Sequence, residues 1–397
     1  MTRTVILDGA RTAFGKFGGT LSNFTASDLG GVAIKGALER AAVAPTDVDQ
    51  VIMGTVLQAG QGQIPSRQAA AKAGIPFSVK TETINKVCAS GMRSVTLADQ
   101  IIRLGEENTI VAGGMESMSN APYYLPKGRW GLRMGDATVV DGLLYDGLTC
   151  AFDENRVHMG VYGNATAEKF NLTREAQDKW AARSQELASK AITEGKLAEE
   201  IVPVEVPQRK GEPVLFKDDE SPRPGVTAES ISGLKSAFGK GGTITAANAP
   251  SINDGAAALV LMNEEKAKAE GKSVLATIIG HAEVGVHPSE FPETPGLVVN
   301  EILKKTGKTL EDIDLIEMNE AFAAVSLASA QIANIDEEKI NVNGGAIALG
   351  HPIGASGTRI ILTLAYELKR RGGGIGIAAI CSGGGQGDAI MIEVEGE

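Results

Sequence analysis

Two stretches of sequence that repeat one another decide the fold: NKVCASGMR at residues 85–93 and GHPIGASGTR at residues 350–359. Both contain Ala-Ser-Gly-x-Arg, and in both the apolar spacing that follows predicts a helix. Each predicted helix leads to a glycine and then to an apolar run ending in glycines, at 109–114 and at 376–385. Cys88 lies in the first repeat and Cys381 in the second apolar run. A duplicated fold with one thiol on each half suggests chemistry where the halves meet.

The repeat also extends upstream of these motifs at the same offset of about 265 residues. A helical pattern at 29–44 precedes a predicted strand at 51–54, and a helical pattern at 296–306 precedes a predicted strand at 315–318. Long helical patterns that alternate with short apolar strands indicate an α/β protein, and we expect mainly parallel sheets covered by helices.

Composition excludes several classes of protein. The 397 residues suffice for two or three domains, and a net charge of −11 argues against nucleic acid as the main partner. We expect no membrane span, because no run reaches about 18 apolar residues. The N-terminus reads as a strand at 4–7 with a turn at 8–12, without a leader segment. Three cysteines without a CxxC motif suggest a cytoplasmic protein without a metal site, and Cys150 is interpreted as structural.

A segment of different character, roughly 120–248, separates the repeats and contains both tryptophans. Thr173 is predicted to cap a helix that extends to Glu194. Five prolines among charges at 203–224 exclude a core helix or a central strand there. We interpret the segment as a cover over a site, with a surface insertion as the alternative.

Four short patterns suggest catalytic groups, and each has a simpler explanation. Cys88 precedes a predicted helix, whose dipole favours the thiolate, but a single cysteine is also consistent with a small buried side chain. His351 lies in a glycine-rich loop that suits a base or a histidine bonded to backbone. The glycines after Cys381 suit an oxyanion site or a simple turn. Asn319 ends a predicted strand, where it faces a ligand crevice or caps the next helix.

Together these patterns resemble thiolases along nearly the whole chain. The resemblance depends on NKVCASG at 85–91, NEAF at 319–322, NGGAIALGHPIG at 343–354 and CSGGG at 381–385. It implies a five-layered αβαβα core formed by two duplicated βαβαβαββ halves, with an inserted loop domain. The implied domains are 1–119 with 250–271, a loop domain at 120–249 that covers the coenzyme A (CoA) site, and 272–397.

The resemblance also implies roles for the catalytic groups. Cys88 corresponds to the nucleophile that carries the acyl group as a thioester, and His351 to the base that activates it. Cys381 corresponds to the acid/base that takes a proton from the acetyl-CoA methyl group. His351 and a water held by Asn319 form one oxyanion site in the family. The backbone N–H groups of Cys88 and Gly383 form the other.

The loop domain matches the family's CoA-binding region. The matching positions are His158, Met159, Arg223, Ser230, Phe238, Ala246 and Phe322. The loop cations Arg209, Lys210, Lys217, Lys235 and Lys240 add local positive charge, although a solvated face explains them equally well. Two departures concern the pockets: Pro250 replaces a serine near pantetheine, and Phe291–Gly296 replaces a Met-Gly segment near the acyl pocket. The stretch before His158 is also about two residues longer than in many short-chain thiolases.

The expected activity is therefore that of an acetyl-CoA C-acetyltransferase, with a broader 3-ketoacyl-CoA thiolase as the alternative. CoA is expected as a substrate and product, with no cofactor, and a homotetramer or a dimer is implied. A ketoacyl synthase is disfavoured by Cys381. A non-catalytic acyl-CoA-binding protein is disfavoured because Cys88, Asn319, His351 and Cys381 are all present.

Overall fold

The structure, a computed structural model, describes residues 2–396. The strands are β1 (Thr4–Thr12), β2 (Gly15–Lys16), β3 (Gln50–Gly54), β4 (Lys80–Ile84), β5 (Thr109–Ser117), β6 (Tyr123–Tyr124), β7 (Val140–Asp141), β8 (Ile201–Val202), β9 (Val204–Val206), β10 (Val214–Phe216), β11 (Asn253–Asn263), β12 (Ala276–Gly285), β13 (Leu315–Met318), β14 (Gly374–Ser382) and β15 (Gln386–Val394). The α-helices are α1 (Ala26–Arg40), α2 (Pro65–Lys72), α3 (Ser90–Leu104), α4 (Met159–Lys169), α5 (Arg174–Thr193), α6 (Ala228–Ile231), α7 (Glu264–Ala269), α8 (Thr294–Thr306), α9 (Ala323–Ala333), α10 (Ala346–Leu349) and α11 (Ser356–Arg370). No helix within residues 2–396 is long and apolar enough to cross a membrane.

The same strand order occurs twice. The N-terminal half has the order β4-β3-β5-β11-β1, and the C-terminal half has β13-β14-β15-β12. Ile340 bridges Ile316 of β13 in the way that β4 pairs with β3, which completes the match. The two halves touch edge to edge where Val5 and Ile6 pair with Thr277 and Ala276. The duplication inferred from the repeated motifs is therefore a duplication of the whole sheet.

The expectation of mainly parallel sheets was wrong. In the N-terminal half β3 is parallel to β4 and β5, but β11 is antiparallel to both of its neighbours, β5 and β1. In the C-terminal half β15 is likewise antiparallel to β14 and β12. The connection from β14 to β15 is only the three residues 383–385, which is a hairpin, and a hairpin joins antiparallel strands.

The layers follow from three buried clusters. Helices α1 and α2 pack on the N-terminal sheet, α8 and α9 pack on the C-terminal sheet, and α3 and α11 lie between the sheets. The molecule therefore has the five-layered αβαβα arrangement that the sequence resemblance implied.

The repeated Ala-Ser-Gly motif has a packing cause. A Cβ atom added at Gly91 would lie 2.7 Å from Thr358 Oγ1 and 2.8 Å from the carbonyl oxygen of Gly354. A Cβ atom at Gly357 would lie 2.4 Å from the backbone nitrogen of Met92. The two central helices therefore meet backbone to backbone at their first turns, and only glycine allows this approach. Both helix starts are thereby held at the seam between the halves.

The predicted turn at 8–12 was also wrong, because β1 continues to Thr12 after a register shift between Ile6 and Asp8. Arg11 is fully buried in this strand, and its Nε donates to Glu200 Oε1 at 2.6 Å. Its Nη1 and Nη2 donate to the two carboxylate oxygens of Asp219 at 2.8 and 2.9 Å. These partners lie far away in the sequence, so the local pattern Asp-Gly-Ala-Arg could not reveal a strand.

The inserted segment is anchored on the C-terminal half. Thr173 caps α5 as predicted, with its Oγ1 accepting from the backbone N–H of Ala176 at 3.1 Å. From the same helix, Trp180 Nε1 donates to the fully buried Glu320 Oε1 at 2.9 Å. Because Glu320 follows Asn319 directly, this bond fixes the cover segment against the strand end that carries a candidate catalytic group.

Candidate active site

Cys88 lies in a strained turn between β4 and α3. Val87, the residue before it, has φ of 46°, and this left-handed region is unusual for a β-branched side chain. Ser90 stabilises the turn, because its Oγ accepts from the backbone N–H of Lys86 at 2.8 Å and donates to the carbonyl of Val87 at 2.6 Å. These local hydrogen bonds hold the strained turn in place. Cys88, which follows Val87 in this turn, lines a cavity.

The thiol of Cys88 is not preset as a thiolate. Burial raises the pKa of Cys88 to about 12, and the charge of Glu116 acts in the same direction. Backbone N–H groups of Gly383 and of Cys88 itself oppose this rise. The helix start that favours the thiolate is thus opposed by desolvation, which raises the pKa of this side chain. These two N–H groups are also the pair that the sequence assigned to an oxyanion site.

His351 is held by its own turn in a defined tautomer. Ser356 Oγ donates to the carbonyl of Pro352 at 3.0 Å, so it accepts from His351 Nδ1 at 2.6 Å. This assignment leaves Nε2 as the acceptor. Burial lowers the pKa of His351 to about 3, with Arg359 as a second cause. The imidazole is consequently neutral at ordinary pH and able to receive a proton.

Cys381 lies at the end of β14, fully buried, next to the hairpin glycines. Burial raises its pKa well above the usual value, and the nearby Cys88 adds to this effect. Ser382 Oγ donates to the carbonyl of Lys86 at 2.6 Å, which ties the strand end of Cys381 to the turn of Cys88. The two thiols are therefore brought together from different halves of the molecule.

Asn319 does not cap the helix that follows it. Helix α9 begins at Ala323 and has Phe322 at its cap position. Asn319 Nδ2 instead lies 3.5 Å from His351 Nε2, and its Oδ1 is buried without a hydrogen-bond partner within residues 2–396. Such a group is rarely left unsatisfied, so a polar partner is expected at this position. The ligand-facing alternative is the one that the geometry supports.

A cavity of about 580 Å³ reaches Cys88, His351 and Gly383. Five of the predicted CoA-binding residues line it: His158, Met159, Phe238, Ala246 and Phe322. The ring of His158 stacks on Phe238 with centroids 4.4 Å apart, and Phe238 meets Phe322 edge to face at 5.9 Å. The walls are thus mainly apolar and aromatic, as expected for a tunnel that receives an uncharged chain.

Two predicted CoA-binding residues do not line this cavity. Arg223 is exposed, and its backbone N–H donates to Gln185 Oε1 at 2.7 Å. Ser230 is exposed, and its hydroxyl belongs to the capping box of α6 with Thr227. Their assignment to the nucleotide end therefore stays a prediction about a region outside the cavity.

The structure adds cavity residues that the sequence did not single out. They include Val87 and Met118 of the N-terminal half, Leu144 and Leu148 of the inserted segment, and Ile353 of the C-terminal half. Pro250, Ser251 and Phe291, the positions of the two sequence departures, also line the wall. Met118, Leu144 and Leu148 carry no motif, so only the fold could bring them together. No group of three or more potential metal ligands occurs among residues 2–396.

This fold and this pair of thiols define a class of enzyme that comparisons with known proteins also identify. Residues 4–265 match the family model described as thiolase, N-terminal domain, and residues 272–394 match thiolase, C-terminal domain. The chain belongs to the thiolase family.

Particular relatives match over almost their whole length. The acetyl-CoA acetyltransferase of Cupriavidus necator is 53% identical over 393 residues, covering 99% of this chain and 100% of the relative. The acetyl-CoA acetyltransferase of Pseudomonas aeruginosa is 51% identical, with 99% of each chain covered. The crystal structure of the Bacillus anthracis acetyl-CoA acetyltransferase superposes with a TM-score of 0.96 at 43% identity, covering 99% of each chain.

Proposed function

We propose that the chain is an acetyl-CoA C-acetyltransferase that joins two acetyl-CoA molecules into acetoacetyl-CoA and CoA, and catalyses the reverse thiolysis. The observation that carries this proposal is the meeting of Cys88, His351 and Cys381 at one seam, with backbone N–H groups of Cys88 and Gly383 beside the first thiol. The full-length likeness to acetyl-CoA acetyltransferases supports it.

In the first half-reaction, Cys88 Sγ attacks the thioester carbonyl of acetyl-CoA while its proton passes to His351 Nε2. The neutral imidazole and the neutral thiol suit a transfer that accompanies the attack, because a preformed ion pair is disfavoured in this buried site. The backbone N–H groups of Cys88 and Gly383 stabilise the oxyanion, and the bond to the CoA sulfur then breaks. The acetyl group is left on Cys88, and CoA leaves as the thiol with the proton from His351.

In the second half-reaction, Cys381 passes its own proton to His351 Nε2, which is neutral again once CoA has left, and the resulting thiolate removes a proton from the methyl group of a second acetyl-CoA. The enolate oxygen is stabilised near His351 and Asn319, whose unsatisfied buried Oδ1 could hold a bridging water. The carbanion attacks the acetyl-Cys88 carbonyl, a C–C bond forms, and the bond to Cys88 Sγ breaks. The proton held by His351 then returns to Cys88 Sγ and restores the thiol, so the proposed reaction uses CoA only as substrate and product.

Binding of CoA is assigned to the apolar tunnel and to the exposed region beyond it. The stacked pair His158 and Phe238, with Met159, Ala246 and Phe322, would contact pantetheine and the acyl part. Arg223 and Ser230 would contact the nucleotide end outside the cavity. Pro250 supplies no hydroxyl, but Ser251 lies beside it on the same wall and offers one.

A broader 3-ketoacyl-CoA thiolase is the second candidate, favoured by the apolar cavity wall at Met118, Leu144 and Leu148 near Cys88. The discriminating experiment follows thiolysis of 3-ketoacyl-CoAs of increasing chain length in the presence of CoA. We expect the highest kcat/KM with acetoacetyl-CoA. Turnover only with long chains would contradict the acetyltransferase proposal, and no turnover with any substrate would contradict both candidates.

We also propose that the protein works in the cytoplasm as a homotetramer. Trp130 and Met134 are 85% and 104% exposed within the inserted segment, which leaves apolar side chains available for contact with another subunit. Light scattering after size-exclusion chromatography should give four chains, and Trp130→Glu with Met134→Glu should reduce the assembly. A monomer in the unmodified protein would contradict the proposal.

A further inference from the structure

Glu116 occupies the same place in the N-terminal half that Cys381 occupies in the C-terminal half. Each is the eighth of nine residues in its strand, β5 and β14. Each also lies opposite a glycine of the following antiparallel strand, Gly255 for Glu116 and Gly387 for Cys381. The duplicated fold therefore has a second copy of the Cys381 position, and a carboxylate fills it.

The partner of Glu116 completes the second copy. Aligning the two Ala-Ser-Gly motifs places Gly354 at the position of Cys88. The backbone N–H of Gly354 donates to Glu116 Oε2 at 2.9 Å. A Cβ atom at Gly354 would lie 2.7 Å from the same oxygen, so the glycine is what allows the contact. Glu116 and Gly354 thus face one another as Cys381 and Cys88 do.

The carboxylate of Glu116 joins two loops of the site. Oε1 accepts from Thr55 Oγ1 and from the backbone N–H of Leu57, both at 3.1 Å. Oε2 accepts from the backbone N–H groups of Val56 at 3.0 Å and of Gly354 at 2.9 Å. Three donors belong to the loop after β3, and the fourth belongs to the turn that carries His351. This one side chain consequently links the N-terminal half to the turn of the proposed base.

The burial of Glu116 is electrostatically unfavourable for a side chain that only links two loops. Glu116 is fully buried, and burial raises its pKa to about 7 although all four donors oppose the rise. Its charge is one cause of the raised pKa of Cys88. A buried carboxylate carries a large desolvation cost, and here that cost falls beside the proposed nucleophile.

We propose that Glu116 is a positioning residue that sets the placement of the His351 turn relative to Cys88 and lowers the reactivity of the Cys88 thiol. It does so through the bond to Gly354 and through its negative charge. The proposal rests on the proposed function, because it assigns Cys88 and His351 their roles. It is independent of which acyl chain the enzyme prefers.

Lys16 on β2 and His158 before α4 are titratable groups on the wall of the cavity that Cys88 also lines, and four others lie around the turn of Cys88. They are Glu116 on β5, His351 on the turn before α11, Cys381 on β14, and Lys86 in the turn before α3. Lys86 is directed elsewhere, since its Nζ binds Asp388 Oδ1 at 2.6 Å and Glu283 Oε2 at 2.7 Å. Because His351 is neutral, Glu116 is the charge whose removal should change the reactivity of Cys88.

The test compares Glu116→Gln with the unmodified full chain in two assays. The first measures alkylation of Cys88 by iodoacetamide at pH 9, followed by mass spectrometry of the Cys88 peptide. The second measures kcat and KM for acetoacetyl-CoA thiolysis. We expect alkylation to accelerate about 2- to 10-fold, because a neighbouring negative charge is lost. We expect kcat to fall about 10- to 100-fold with KM little changed, because the base is misplaced.

Two further variants keep the test decisive. Glu200→Gln removes another fully buried carboxylate, which binds Arg11 and Thr363, and should change neither alkylation nor kcat. Thr55→Val removes one donor to Glu116 but keeps the charge, and kcat should fall about 2- to 5-fold. If Glu116→Gln does not fold, an unchanged kcat in Thr55→Val overturns the proposal. If it folds, unchanged alkylation and unchanged kcat overturn it.

The alkylation assay separates this inference from the proposed function. An unmodified protein that does not cleave acetoacetyl-CoA would refute the acetyltransferase proposal. The effect of Glu116 on the reactivity of Cys88 would still be measured by alkylation alone.

Discussion

The turn before α3 and the turn before α11 start equivalent helices in the two halves, yet they present different groups to the seam. The first presents Cys88 after a strained Val87, and the second presents His351 ahead of Gly354. The strand ends that face these turns also differ, with Cys381 opposite the first and Glu116 opposite the second. The comparison indicates that duplication supplied two frameworks, of which one holds the two thiols and the other holds the proposed base.

The largest expected effect comes from removing the thiol of the first turn. Cys88→Ala should reduce thiolysis of acetoacetyl-CoA by about 10⁴-fold or more, because the acyl carrier is lost. Initial rates measured with excess CoA test this. Cys150→Ala is the matched control, since Cys150 is a buried thiol outside the cavity wall and should leave turnover nearly unchanged. Substantial turnover in Cys88→Ala would contradict the proposal that the acyl group is carried on Cys88.

The next effect concerns the thiol on the facing strand. Cys381→Ala should reduce condensation of acetyl-CoA by about 10²- to 10⁴-fold, the range of a lost general acid/base. The rate is measured from the increase in absorbance of the acetoacetyl-CoA–magnesium complex. If Cys381→Ala condenses acetyl-CoA at the unmodified rate, another group takes the methyl proton.

A smaller effect is expected where the two central helices touch. Gly91→Ala should lower the free energy of unfolding by about 1–3 kcal/mol, because its Cβ atom would meet Thr358 Oγ1 and the Gly354 carbonyl. Gly233→Ala, where nothing lies within 4 Å, should stay within about 0.5 kcal/mol. Chemical denaturation of both variants measures the difference. Equal stability of the two variants would show that the seam tolerates separation of the helices.

The smallest effect is the dependence of stability on pH. The folded protein holds the pKa of His351 near 3, below the usual value of about 6.5, so the unfolded chain binds more protons between these values. Stability is therefore lost as the pH falls below 6.5, by about 2 kcal/mol at pH 5 from this group. Glu116 acts oppositely, because its pKa of about 7 favours the folded state at low pH and this contribution is lost as the pH rises through 7.

The variant His351→Gln isolates this contribution. It should lose less stability than the unmodified protein between pH 7 and pH 5, as measured by Tm at each pH. An identical loss in both proteins would mean that His351 is not held neutral by the fold.

Much of the fold could be predicted because the repeated motifs mark structural necessities. The glycines of Ala-Ser-Gly are required where α3 and α11 meet, so the motif located both helix starts and both halves. The strand at 8–12 was missed because it depends on Arg11 binding Glu200 and Asp219, which are distant in the sequence.

The motifs predicted which residues would come together at the candidate site, but not the pKa values of these groups. The assignments of Cys88, His351, Cys381 and Asn319 come from motifs, and the structure brings these groups to one seam. The state of the Cys88 thiol was not predictable, since the local helix start favours ionisation and only tertiary burial reverses it. The sequence did not indicate a role for Glu116. Its position in β5 is equivalent to that of Cys381 in β14, and this equivalence is visible only once the bounds of both strands are known.

We propose that the two thiols divide the reaction, with Cys88 carrying the acyl group and Cys381 carrying the proton. Intact-protein mass spectrometry of Cys381→Ala and Cys88→Ala after incubation with acetyl-CoA tests it most directly. We expect one acetyl group on Cys381→Ala, located on the Cys88 peptide, and no acetyl group on Cys88→Ala. An acetyl group on Cys88→Ala, attached to Cys381, would contradict the division.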